Sequence, residues 1–500
     1  MMLQLQPTDT VELNPAEALP AMLASARAAS AAWGGLPVRE RCRRLLAARD
    51  HLLDDAEGLA AVVARETGKP RLDVLAEVMQ ACTLIGFYAK KAPGFLRPRR
   101  VGAGLMAHKR AEIHYHPLGV VGIITPWNYP VMLVLSPVIQ ALVAGNAAIV
   151  KPSEVTTETA RRLVGLFADL ASPKSDAPLV QLLPGGPDAA LALAGSGVDK
   201  ISFTGGAEGG KAILAAAAPR LTPVLLELGG NDAMIVAEDA DLGRAADAAA
   251  WGAFLNAGQS CIAVERAFVA RGAYDRFVGL VVERARGLRQ GPCPGPEVAD
   301  DFDLGPLATD RQYRRTCELV EDAVRRGASV LVGGVPPDGS PEEAGRLFPP
   351  TVLAGVTREM RVMGEEVFGP VLAVAPVDSI DEAVARANDS PFGLSASVWT
   401  ADRRLARRVA ARLEVGGVVV NDCIIHFMIP GLPFGGAKQS GFGRTQGGEG
   451  LHEFCSIRTL TSHRFGPRRE FQWFPYGRKH RLLARGLRLL FRSGLAKFSR

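Results

Sequence analysis

An α/β protein with two parallel-sheet domains in series is the fold class this sequence predicts, and three observations carry the prediction. Short apolar runs of the length of buried strands alternate with helical patterns of about ten to fifteen residues, the signature of strand-helix-strand units. The alternation occurs as two separate series, one within residues 120–228 and one within 266–420. The 500 residues are 48% hydrophobic and 22% charged, with 54 glycines and 34 prolines between the runs; this is chain enough for two or three cores and excludes a low-complexity or disordered protein.

Taken in order, residues 15–66 read as amphipathic helix broken at Gly34-Gly35-Leu36-Pro37, and a second helix spans 72–89. Residues 111–116, Ala-Glu-Ile-His-Tyr-His, precede Pro117-Leu118-Gly119 and read as a half-exposed hairpin strand. His114 and His116 share its face, and two imidazoles without a cysteine or carboxylate beside them are strand surface before they are metal ligands. The first strand series is 120–124, 147–150, 179–183, 200–203 and 224–228; the second is 266–269, 329–332, 371–377, 395–400 and 417–420. No repeat of solenoid period is present.

Seven cysteines, Cys42, Cys82, Cys261, Cys293, Cys317, Cys423 and Cys455, are odd in number and widely spaced. That pattern points to a reducing, cytoplasmic setting without structural zinc, and no metal site is expected. The N-terminus lacks a basic n-region and no long apolar window is free of polar breaks, so neither a signal peptide nor a spanning helix is expected. The net charge of +6 is unevenly placed: residues 463–500 carry eleven Lys or Arg against the single acid Glu470, leaving −4 for the rest of the chain. The basic balance therefore belongs to the tail and gives no reason to expect nucleic acid on the body.

The chemistry-bearing residues lie beside strand ends. Gly258-Gln259-Ser260-Cys261 places a thiol after a turn, and upstream sits Glu227-Leu228-Gly229-Gly230. A thiolate can attack a carbonyl carbon, and a carboxylate can activate the water that releases the resulting acyl group. Singly, each has a plainer reading, since a free cysteine is usually a small buried hydrophobe and a Glu before Gly-Gly a turn residue. A glycine-rich turn, Phe203-Thr204-Gly205-Gly206-Ala207-Glu208-Gly209-Gly210-Lys211, lies between a strand and a helix beginning near Glu208; such glycines let backbone amides approach a phosphate.

Seven ordered motifs resemble the aldehyde dehydrogenase superfamily from about residue 15 to 463: Ile124-Thr125-Pro126-Trp127-Asn128-Tyr129-Pro130, Lys151-Pro152-Ser153-Glu154, Phe203-Thr204-Gly205-Gly206, Glu227-Leu228-Gly229-Gly230, Gly258-Gln259-Ser260-Cys261, Glu365-Glu366-Val367-Phe368-Gly369-Pro370, and Pro433-Phe434-Gly435-Gly436-Ala437-Lys438-Gln439-Ser440-Gly441. The resemblance implies a Rossmann-type cofactor domain (1–98 and 118–228), an α/β catalytic domain (229–452) and a small β oligomerisation segment (99–117 and 453–463). It implies Cys261 as nucleophile, Glu227 as general base, and Asn128 donating with the Cys261 N–H to an oxyanion. It also implies a cofactor site formed by Thr125, Pro126, Trp127, Lys151, Ser153, Glu154, Gly205, Gly206, Gly210, Leu228, Glu366 and Phe368, and a homodimer or homotetramer. Glu154 near a ribose 2′-hydroxyl favours NAD, with NADP the alternative because Lys151 stands nearby. Gly206 replaces a serine common in the family, and Asn231-Asp232 follows Gly-Gly where lysine is common.

The stretch 421–433, which helps line the substrate mouth in the family, contains no Arg or Lys. With Tyr129, Leu133 and Ile262 it points to an apolar aliphatic or aromatic aldehyde. An acylating relative that uses coenzyme A and a non-catalytic relative are the competing readings; retained Glu227 disfavours the first, and retained Cys261, Glu227 and Asn128 the second. The extension 464–500 joins an aromatic patch, Phe471-Gln472-Trp473-Phe474-Pro475-Tyr476, to a helical pattern. Arg481, Arg485, Arg488 and Arg492 fall on one face, with Leu483, Leu487, Leu490 and Phe491 on another. Association with the inner face of a membrane, docking on a neighbouring subunit, and disorder all fit that pattern.

Overall fold

Val120–Ile124 and Ala147–Lys151 are buried at every position. That is why 120–124 and 147–150 read as unbroken apolar runs: they belong to interior parallel strands with helices packed on the sheet. The computed structural model describes residues 15–170, 175–291, 302–336, 345–466 and 468–492. Cys293, the N-terminal fourteen residues and the last eight lie outside them, as do the side chains of Arg488, Leu490 and Arg492.

The first sheet has six strands in the order Gly441–Phe442, Val224–Glu227, Lys200–Thr204, Val120–Ile124, Ala147–Lys151 and Val180–Leu182. The chain enters at Val120–Ile124, extends to one side, then crosses back to add Lys200–Thr204 and Val224–Glu227 on the other. Reversal of direction opens a crevice beyond the C-terminal ends of Val120–Ile124 and Lys200–Thr204, the usual place for a ligand in such sheets. Gly441–Phe442 pairs antiparallel with Val224–Glu227, so the segment 229–452 returns to the first sheet near its end.

The second sheet has seven strands: Ser329–Val332, Thr351–Ala354, Val371–Val377, Val264–Ala270, Asp232–Val236, Ser395–Trp399 and Gly417–Val420. Ser329–Val332 runs antiparallel to Thr351–Ala354, and the other neighbours pair parallel. Two of these strands are absent from the sequence reading. Asp232–Val236 opens on a carboxylate that looks like loop, yet Asp232 is buried and its Oδ1 accepts the Ser395 N–H at 3.1 Å. Thr351–Ala354 is a four-residue strand directly after Pro349-Pro350, residues that interrupt strand patterning. A third sheet joins Arg99–Val101, Lys109–Pro117 and Cys455–His463 antiparallel. Within it the His114 and His116 rings stack at 6.3 Å, and Glu112, a carboxylate neighbour that the sequence reading overlooks, lies 3.3 Å from His114 Nε2.

The helical entry divides into Pro15–Gly34, Val38–Asp54 and Ala56–Thr67. The unexpected break falls at Asp55, whose carboxylate leaves the helix line to accept from Arg162 at 3.0 Å. The next helix, Arg71–Phe95, is by length and composition alone long and apolar enough to cross a membrane. Its Val78, Ala81, Ile85, Tyr88 and Ala92 are buried where it packs on Val38–Asp54 and Met132–Ala144, so its apolarity serves the core of the first domain. The described cysteines are free thiols.

Candidate active site

Helix Leu242–Phe254 ends in a tight left-handed turn, with Asn256, Ala257 and Gly258 at φ 53°, 54° and 72°. Two of the three are not glycine, a strained arrangement held by its neighbours. A Cβ on Gly258 would stand 2.1 Å from the Gly369 carbonyl oxygen, so this position needs glycine for space as well as for φ. Gln259 secures the turn: its Nε2 donates to Asn256 O at 2.9 Å and its Oε1 accepts the Ala308 N–H at 2.8 Å. The result presents Cys261, half-buried, with its thiol against its own backbone N–H. Burial, then the carboxyl groups of Glu366, Asp232 and Glu227, hold that thiol well above the usual range.

Glu227 closes the strand Val224–Glu227 and is 6% exposed. Among the described residues neither carboxyl oxygen has a hydrogen-bond partner, and burial holds the group far above the ordinary carboxylate range, opposed by Arg444. Asn128, also buried, donates from Nδ2 to Gln259 O at 3.1 Å, which leaves its second amide hydrogen to point elsewhere.

Two cavities meet at these groups. An apolar one of 270 Å³ is bounded by Leu133, Trp251, Leu255, Ile262, Phe427 and Phe434, among others, and a larger one of 680 Å³ lies toward the crevice of the first sheet. Cys261 and Glu227 border both. Tyr129 lines the smaller cavity, as do Ile424 and Met428 of the mouth loop; no Arg or Lys does so among the described residues.

Of the residues expected at a cofactor, Pro126, Trp127, Gly205, Gly206, Leu228, Glu366 and Phe368 line the larger cavity. Trp127 and Phe368 meet edge to face, ring centres 5.7 Å apart. Gly206 caps the helix Ala207–Ala217 with open space where a side chain would stand, so the first-turn amides face the cavity. Thr125 is buried beside them and its Oγ1 has no partner among the described residues. Lys151, Ser153 and Glu154 sit at the end of the adjacent strand, where the Thr125 N–H donates to Lys151 O at 3.1 Å; they stand outside that lining, with Lys151 Nζ 3.8 Å from Glu154. Gly210 also stands outside it and is buried against Leu228, where a Cβ would meet Leu228 Cδ2 at 2.9 Å. An open helix N-terminus, an orphaned hydroxyl, a facing carboxylate and a cavity of this size fit a dinucleotide.

Glu366 is seated by the glycines of its partner loop. The Gly230 N–H donates to its Oε1 at 3.0 Å, and a Cβ on Gly229 would fall 2.1 Å from its Oε2. Burial, then Glu265, push its carboxyl up to about 8. Sequence reasoning missed the groups that hold this scaffold. Glu265 is buried and accepts from the N–H groups of Val367 and Phe368 and from Asn231 Nδ2, fixing the loop that carries Glu366. Gln312 donates to Val367 O at 2.9 Å and Arg315 to Glu366 O at 3.2 Å from the helix Asp310–Arg325. Lys69 and Glu77 pair beneath Asn128. The available signal was Lys69 just after Gly68 and Glu77 one face away on the following helix, too common a pattern to single out.

Known proteins resemble this chain over most of its length. The profile described as Aldehyde dehydrogenase family matches residues 4–460. A 4,4'-diapolycopene aldehyde oxidase from Methylomonas sp is 39% identical over 457 residues, covering 91% of this chain and 83% of that protein. Among solved structures, an NAD-dependent aldehyde dehydrogenase from Sinorhizobium meliloti superposes with a TM-score of 0.85 at 32% identity, covering 92% of this chain and 89% of that one. A betaine aldehyde dehydrogenase from Staphylococcus aureus in complex with NAD+ gives 0.83 at 31% identity, covering 91% and 89%. Cys261 and Glu227 border both cavities and Asn128 the larger one, and the chain belongs to the aldehyde dehydrogenase family of NAD(P)-dependent oxidoreductases, which convert aldehydes to acids.

Proposed function

We propose that this enzyme oxidises an apolar aliphatic or aromatic aldehyde to the carboxylic acid, with NAD as cofactor and NADP as the alternative, through a thioester on Cys261. One observation carries the reading: Cys261 and Glu227 stand where the apolar cavity and the larger cavity meet. The apolar cavity takes the aldehyde chain, and the absence of Arg or Lys from its described lining disfavours a carboxylated semialdehyde. The Methylomonas relative, named for a diapolycopene aldehyde, supports an apolar substrate.

Cys261 attacks the aldehyde carbon, and the free Asn128 amide hydrogen with the Cys261 N–H receives the developing oxyanion, an arrangement worth a few kcal/mol (about 3) in comparable sites. A bound nicotinamide cofactor would supply the hydride acceptor for the oxidation of that carbon. Glu366 and Phe368 would hold its ribose, Trp127, Thr125, Pro126 and Leu228 would surround it, and Gly205, Gly206 and the helix N-terminus would take its phosphates; Lys151, Ser153 and Glu154 would hold the adenosine end. Glu227 then removes a proton from the water that hydrolyses the thioester. Gly210 serves by letting its helix approach Leu228.

The reading divides the chain into a cofactor domain (1–98 and 118–228), a catalytic domain (229–452), oligomerisation strands (99–117 and 453–463) of a homodimer or homotetramer, and the extension 464–500 as a peripheral membrane contact of a cytoplasmic enzyme. An aldehyde panel with NAD and with NADP, wild type beside Cys261→Ala, tests it. Hexanal, decanal and benzaldehyde should outrank succinic semialdehyde in kcat/KM, with all turnover lost in the variant. Preference for the semialdehyde removes the substrate assignment, and turnover by Cys261→Ala removes the mechanism.

A further inference from the structure

Glu470, the lone acid of the extension, is 5% exposed and is clasped by the third sheet. His108 Nε2 lies 3.0 Å from it, Lys109 pairs with it, and His463 Nδ1 stands 3.6 Å away. The Arg464 N–H also donates to His108 O at 3.0 Å. The extension therefore leaves the sheet from a fixed point. Beyond Glu470 the aromatic turn is ordered too: Lys479 Nζ donates to Trp473 O at 2.7 Å and sits 5.8 Å from the Phe471 ring, while the Phe474 and Tyr476 rings lie 4.5 Å apart. This turn runs straight into the helix Lys479–Arg492.

The clasped segment then exposes what a folded chain ordinarily buries. Phe474 is 72% exposed, Leu482 62% and Phe491 61%, and Trp473, Leu483 and Leu487 are exposed with them. At 100° per residue, Leu483 and Leu487 share a face of the helix, with Phe491 one turn further along it. Arg481 and Arg485 share the opposite one. Among the described residues Arg478, Arg481 and Arg485 have no ion-pair partner, and Glu470, which would be their nearest acid in sequence, is already engaged on the sheet.

We propose that residues 464–492 form an anchored platform that docks on an anionic lipid surface. Charge favours one occupant: residues 463–500 carry +10, so a second copy of the segment would meet like charge and the −4 of the rest of the chain is a small complement, whereas a surface of acidic headgroups is complementary throughout. An amphipathic helix with Leu and Phe on one side and Arg on the other, preceded by Trp and Tyr, has the side chains that settle at the boundary between headgroups and acyl chains. The clasp at Glu470 fixes where the platform leaves the body. This inference rests on the reading of the extension as a peripheral membrane contact and not on which aldehyde the enzyme takes.

The test is flotation of the full chain with vesicles of phosphatidylcholine and phosphatidylglycerol, beside vesicles of phosphatidylcholine alone. Wild type should float with the anionic vesicles, less so as salt is raised. Arg481→Gln with Arg485→Gln should lower partition about tenfold or more, and Leu483→Glu with Leu487→Glu should abolish it. Both double variants should keep benzaldehyde oxidation, which shows that they fold. Equal partition into neutral and anionic vesicles overturns the proposal, as does no flotation by active wild type. So does a change of oligomeric mass in the leucine variant without a change in flotation, which would assign the face to a second copy.

Discussion

Lys69 and Glu77 form a fully buried ion pair, Nζ to Oε1 2.6 Å, and together they hold the loop that carries Asn128. Lys69 Nζ also donates to Asn128 O at 2.6 Å and lies 3.9 Å from the centre of the Tyr129 ring. The other Glu77 oxygen accepts the N–H groups of Val131 and Met132, each at 3.0 Å. Two charges thus serve to fix one loop, since a buried pair of this kind gains its worth from the groups it orders rather than from mutual attraction.

Lys69→Met should leave the buried Glu77 carboxyl half-partnered, at a cost of about 3–5 kcal/mol. Urea denaturation reads that loss. In the fraction that folds, kcat should fall more than KM rises, because Asn128 acts on the developing oxyanion rather than on the bound aldehyde. A variant of wild-type stability and kcat would remove Lys69 from this role.

Gly258→Ala should cost about a hundredfold in kcat or more, since displacement of a reacting group by about 1 Å has that order of effect. The added methyl carbon would stand 2.1 Å from Gly369 O at φ 72°, and the turn must move to relieve it. Thiol alkylation rates compared between variant and wild type should change with it, because Cys261 is three residues on.

These two groups show where sequence reading succeeds and where it stops. Val120–Ile124 was legible because it is buried on both faces and apolar at every position, which leaves an unbroken run, and Cys261 because its motif has local spacing. Lys69 was not, because its partner Asn128 is 59 residues away and only the fold brings them together. Asp232–Val236 was missed for a related reason: Asp232 looks like loop until Ser395, 163 residues later, supplies the N–H that satisfies it. Gly210 was legible as part of a glycine-rich turn, but which glycines face the cavity depends on how the helix Ala207–Ala217 is rotated against Leu228.

The site should make the protein less stable as pH rises. Burial comes first in raising Asp73 to about 6, Glu265 to about 7 and Glu366 to about 8. A carboxyl group whose folded pKa exceeds its unfolded one contributes stability fully present below the unfolded value, about 4, and lost as pH climbs through the folded value. Melting temperature should therefore decline between pH 5 and 8 (a window of about three units set by these groups), and Glu366→Gln should flatten the upper end of that decline. A slope unchanged in Glu366→Gln would show that Glu366 is ionised throughout.

Glu154 should govern the choice between NAD and NADP. Its side chain is 63% exposed and stands 3.8 Å from Lys151, which is nearly buried. A carboxylate there repels a 2′-phosphate while the ammonium attracts it, so the balance is set by one exposed charge. Glu154→Gln should raise kcat/KM for NADP about fivefold, corresponding to about 1 kcal/mol for an exposed charge. Steady-state kinetics with both cofactors reads the effect, and unchanged NADP use would place the adenosine ribose elsewhere.

Glu227→Gln should separate the two halves of the reaction. The amide has nearly the shape of the carboxyl group, so attack by Cys261 and the oxyanion contacts of Asn128 remain, while the group that removes a proton from water is gone. Loss of a general base lowers the affected step by about 10²–10⁴-fold, and that step is thioester hydrolysis. The variant should give a burst of reduced cofactor stoichiometric with enzyme, followed by slow turnover. In wild type, burial holds Glu227 protonated well above the ordinary carboxylate range. A base works only when deprotonated, so kcat should rise with pH above that range, and the rise should be missing from the slow phase of the variant. A variant that loses the burst along with turnover would show that Glu227 acts before the thioester forms, on the thiol of Cys261 itself.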